Sequence, residues 1–125
     1  MTQVLTYDPV SGMVVSVVDG EVTKEDILRN YGKALQFLKE NSCLKILSDY
    51  RGASLKLSTT EILELSKILN EVAAKMGFDV RSLKRAVVFS KQMRDYRFYQ
   101  DVSTQRKLTI RIFQEVEEAA KWLAE

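Results

Sequence analysis

Residues Leu44–Ile62 read LKILSDYRGASLKLSTTEI. The first part, LKILSDY, is a short apolar run of the kind that forms a strand covered on both faces. A short polar loop is expected after Asp49. The hydroxyl cluster Ser58, Thr59 and Thr60 then opens a segment in which Ile62, Leu65, Leu69, Val72 and Met76 recur at three- and four-residue spacing, as the buried stripe of a helix does. Gly77 is well placed to end that helix. A strand feeding a capped helix is the repeating unit of a parallel sheet.

Upstream, QVLTY, the turn-forming DPVSG and MVVSVV read as two strands joined by a hairpin, with Pro9 and Gly12 supplying the turn. Asp19 and Gly20 are expected to end the second strand. Thr23 can cap the next helix, Glu25 and Asp26 suit its positive end, and Ile27, Leu28, Tyr31, Leu35 and Leu38 form its apolar stripe. Downstream, RAVVFS is another buried-strand pattern and MRDYRFYQDV reads as a helix. KLTIRIF alternates like a half-exposed edge strand, and QEVEEAAKWLAE is a short helix with Val116, Ala119, Ala120 and Leu123 facing inward.

The order is therefore β-β-α-β-α-β-α-β-α. It predicts an α/β fold with a mostly parallel five-stranded sheet, an antiparallel first strand and four helices. Residues 1–125 form a single domain, since the chain has one proline, five glycines and no linker or repeat.

At 125 residues, 46% apolar and 29% charged, the chain can bury a core without a disulfide or metal staple. No apolar run approaches the ~20 residues of a membrane span, and MTQVLTYDPV lacks the build of a secretory signal, so a cytoplasmic location is the expectation. Histidine is absent, which excludes Ser-His-Asp and Cys-His nucleophile pairs and weakens every usual zinc ligand set. The lone Cys43 reads as packed and inert. No cofactor, metal or catalytic residue is indicated, and the protein reads as a non-enzyme.

The leading hairpin, LKILSDYRG, the helix opening at Ser58, RAVVFS and the ending RIFQEVEEAAKWL together resemble the STAS/SpoIIAA-like family of small bacterial domains. The resemblance implies a binding or regulatory module, often self-associating, working through protein contacts or a small apolar ligand. In anti-anti-sigma factors of this family an Asp-Ser pair opens the helix and its serine is phosphorylated. Leu57 and Ser58 fall at those positions, so the serine matches and the aspartate does not. A phosphate on Ser58 would sit at a helix N-terminus, the alternative reading being an anti-sigma factor antagonist switched there. Ser58-Thr59-Thr60-Glu61 is equally a capping box, which accounts for the residues without a phosphate.

Two further groups stand out. Asp49 and Arg51 could pair at a strand end, on the side of the sheet where parallel strands end and open α/β folds bind ligands. From Arg81 to Arg111 there are nine basic residues against two acids, Asp95 and Asp101. A solvated face is the simpler account of this excess, and no nucleic-acid-binding signature accompanies it. Within it Tyr96, Phe98 and Tyr99 cannot share one helical face. Met93, Arg94, Tyr96, Arg97 and Tyr99 are thus the candidate surface for a homo-oligomer, a protein partner, an apolar ligand or a peripheral membrane contact.

Overall fold

A computed structural model describes residues 1–90 and 110–125, with the side chains of Thr59, Ile62, Leu63 and Ser66 left out. The hairpin turns on Asp8. Its carboxylate accepts from the Val10 amide at 3.0 Å and the Ser11 hydroxyl at 2.9 Å, while the Gly12 amide donates to the Asp8 carbonyl at 2.8 Å. Gly12 closes the turn at φ +68°, a region costly to other residues. Strands β1 (Thr2–Asp8) and β2 (Met13–Val22) leave it antiparallel.

Helix α1 (Lys24–Glu40) and helix α2 (Thr59–Lys75) each start on a complete capping box, Thr23 with Asp26 and Ser58 with Glu61. Gly77 follows α2 at φ +88° and stops it. Strands β3 (Lys45–Leu55), β4 (Lys84–Val88) and β5 (Ile110–Phe113) run parallel to β2, in the order β1-β2-β3-β4-β5. Helix α3 (Val116–Ala124) follows β5.

Two layers of helix enclose the sheet. Ile27, Leu35 and Leu38 of α1 and Leu65, Leu69 and Ala73 of α2 pack on one face. Ala119 and Leu123 of α3 pack against Met13, Leu47, Ala86 and Val88 on the other. Alternation along β3 and β4 sends Ile46 and Leu47, or Val87 and Val88, to opposite layers. Cys43 is buried, its thiol 3.2 Å from the Lys45 carbonyl, which agrees with a packed, unreactive role.

The described residues contain three helices, against four expected. The segment read as the additional helix, MRDYRFYQDV, lies outside them. Of KLTIRIF, residues Ile110–Phe113 form the outermost strand beside β4.

The strand ends also differ from expectation. β2 continues through Asp19 and Gly20 to Val22, and the polar stretch after Asp49 is strand, not loop, as far as Leu55. The pairing passes from Val17↔Asp49 to Asp19↔Gly52, so Tyr50 and Arg51 together oppose Val18. That is a β-bulge. It reverses the alternation, so Ala53 and Leu55 join the same core layer as Tyr50. At Gly52 a side chain would collide with the Asp19 carboxylate.

Candidate functional site

The bulge explains Asp49 and Arg51. A bulge displaces an amide from the ladder, and the Asp49 carboxylate takes the Arg51 amide at 3.1 Å. The same carboxylate is gripped by the Arg51 guanidinium, Nε to Oδ1 at 2.9 Å and Nη2 to Oδ2 at 2.8 Å. The Arg51 side-chain bonds, ahead of its backbone bond, hold the Asp49 carboxyl below its usual 3.8 despite burial. Glu117 and Glu115 also favour the Arg51 cation, which places the pair beside the start of α3. The expected pairing is present. It sits within β3 rather than at its end, and it clasps a bulge.

Ser58 is exposed and its hydroxyl is engaged. Oγ accepts from the Glu61 amide at 3.1 Å, and Glu61 Oε1 accepts from the Ser58 amide at 3.0 Å. That second bond, chiefly, lowers the Glu61 carboxyl from its ordinary value. No described bond joins Ser58 to Asp49. The bulge separates them, since Ser58 leads into the α2 layer while Asp49 and Arg51 face α3.

Of the nine basic residues, the structure describes four. Arg81 is exposed and pairs with Asp79 at 3.6 Å. Lys84 lies 4.5 Å from the Trp122 ring centre, and Arg111 stacks over Phe113 and Trp122. Arg85 contradicts the solvated-face reading outright, being only 3% exposed. The others, with Met93, Arg94, Tyr96, Arg97 and Tyr99, lie outside the described residues.

Arg85 is in the strand read as buried, and it shares a face with Val87 and Phe89. Period-two alternation in a strand with neighbours on both sides therefore carried the signal for an inward arginine. Its Nη1 donates to the Tyr31 hydroxyl at 3.0 Å, whereas Nε and Nη2 are buried with no hydrogen-bond partner among the described residues. It borders a cavity of about 70 Å³ between the sheet and helices α1 and α2. Tyr31 and Ser48 supply the neighbouring hydroxyls, and Ile27, Leu65 and Leu69 supply apolar wall. Among the described residues no group of three potential metal ligands occurs, and no helix is long and apolar enough to cross a membrane.

An uncharacterised DUF3478-family protein from Shewanella loihica, solved with a SpoIIAA-like fold, matches 98% of this chain and 92% of its own. The TM-score is 0.54 at 15% identity. The chain has a SpoIIAA-like fold. An anti-sigma factor antagonist from Mycobacterium paratuberculosis shares that fold over 99% of this chain and 94% of its own, with TM-score 0.63 and 16% identity. The anti-sigma factor antagonist SpoIIAA, in its unphosphorylated form, does so over 96% and 94%, with TM-score 0.54 and 14% identity. No protein-family model and no curated protein matches the chain. Likeness at this identity carries the SpoIIAA-like fold and transfers no residue's role.

Proposed function

We propose that this chain is a regulatory module of the SpoIIAA-like kind, without a reaction of its own, that acts by binding a protein partner. The observation behind the reading is the match of nearly the whole chain to 94% of each of two anti-sigma factor antagonists. The end of the sheet beyond Asp49, with the clasped bulge and the exposed start of α2, offers that partner a polar surface at the usual position in this class of sheet. Self-association and an apolar ligand near Met93, Tyr96 and Tyr99 belong to the same reading, as does a cytoplasmic location.

Native mass spectrometry on protein purified gently from its host reads assembly mass, bound molecules and phosphate together. A specific heteromeric mass, reconstituted from the purified partner, supports the proposal. A bare monomer at every concentration, with no partner recovered by in-cell cross-linking, rejects it.

A second reading, an anti-sigma factor antagonist switched at Ser58, is favoured by the exposed hydroxyl of Ser58 at the head of a 17-residue helix. Phosphate there would displace the capping bond and face the Glu61 carboxylate. A phosphate mapped to Ser58 in cells, with Ser58→Ala abolishing it, supports the switch. Unmodified Ser58 throughout growth, with Ser58→Ala merely lowering stability, reduces the residue to a cap.

A further inference from the structure

The geometry points to the cavity beside Arg85 as a binding site for a small monocarboxylate, with the anion on the arginine and a short apolar tail against Leu65 and Leu69. A guanidinium keeps its charge at any physiological pH. Burying one is costly unless it is paired, and hydrogen bonds must meet its remaining donors. Arg85 is 3% exposed and spends one nitrogen on Tyr31. Among the described residues no carboxylate pairs with it. Its Nε and Nη2 are buried and have no partner among those residues.

Nε and Nη2 form one edge of the guanidinium, the edge that grips a carboxylate through two parallel bonds. The same molecule shows the complete arrangement at Arg51, where Nε and Nη2 hold the two oxygens of Asp49. Arg85 presents the identical edge, and no described carboxylate meets it. Tyr31 accepts from Arg85, which leaves its own O–H free to donate, and the Ser48 hydroxyl lines the same space. The Tyr31 and Ser48 hydroxyls can therefore both donate to an anion.

Size limits the ligand. An apolar cavity of ~150 Å³ takes benzene, so about 70 Å³ suits a molecule near the size of acetate or propionate. This site and the proposed protein contact are separate, and either can fail alone.

Thermal unfolding of the full chain against acetate and propionate tests the site, with propionamide and chloride as probes at matched ionic strength. Propionate is expected to raise Tm saturably, on the order of 10 °C at about a hundredfold excess over Kd, and propionamide and chloride to leave it unchanged. Arg85→Met should abolish the shift. Ser48→Leu, which fills the cavity and keeps Arg85, should abolish it too, and it carries the test if Arg85→Met does not fold. An unresponsive wild type, an equal response to chloride, or a propionate shift that survives both variants would overturn the proposal. So would a response seen only after Asp95→Asn with Asp101→Asn, because the chain's own carboxylate would then be the counter-ion.

Discussion

Arg51 and Arg85 lie on opposite faces of one sheet and offer the same two nitrogens. Arg51, with its side chain half exposed, has a carboxylate two residues away, delivered by a bulge. Arg85, only 3% exposed and bordering the cavity, has one tyrosine hydroxyl among the described residues. Among the described residues the half-exposed charge is paired with a carboxylate, and the buried one is not. An intramolecular clasp at the surface is structural, whereas an unpaired cation inside a cavity is a place for something to bind. The two layers differ likewise. In the α3 layer Leu123, Ala119 and Ala86 are fully buried, and the α1/α2 layer contains the cavity.

The largest effect should come from the α3 layer. Leu123→Ala is expected to cost about 3–4 kcal/mol in urea unfolding, and Leu69→Ala, whose side chain already borders a void, about 2 kcal/mol. Equal costs would mean that the two layers are equally tight. Next, the arginines should respond with opposite sign. In anion-free buffer Arg85→Met removes a buried unpaired charge and should leave stability unchanged or raise it by about 1–3 kcal/mol, whereas Arg51→Met, which opens the bulge clasp, should lower it. A loss at both positions would place a hidden counter-ion at Arg85.

Asp49→Asn sharpens the surface half of the contrast. The expected loss is about 1 kcal/mol at pH 7, kept small because the partner guanidinium is half exposed and screened. The folded carboxyl lies below its usual 3.8. Its stabilisation is therefore full above the unfolded value and fades as pH falls through the lower folded value. Wild type and variant should converge in acid titrations followed by circular dichroism. Smallest, and outside both arginine sites, Ser58→Ala should cost about 1 kcal/mol as a lost cap, with Thr23→Ala a matched control in the same thermal scans. A much larger loss at Ser58 than at Thr23 would give Ser58 contacts beyond its cap.

Much of this molecule is legible without coordinates because its signals are local. The Asp8 turn, both capping boxes and Gly77 act within a few residues, and apolar spacing declares the core faces of α1, α2 and α3. The bulge was not legible. SDYRGAS is polar enough to read as loop, and only its pairing with Asp19–Val22 makes it strand. Arg85 was misread because its place in a run of basic residues suggested solvent, while its fate depended on strand alternation and on both neighbouring strands.

By itself, then, the sequence determined the order of elements, their caps and turns, and which faces are apolar, since hydrogen bonds and periodicity over three or four residues decide these. The tertiary structure alone decided the partnership of each charge. Asp49 meets Arg51 because a bulge displaces an amide from the β2–β3 ladder, and Arg85 meets Tyr31, 54 residues away, because α1 covers the face of the sheet on which Arg85 lies. Which charges end up paired depends on packing between segments distant in the chain, and no local pattern encodes that distance.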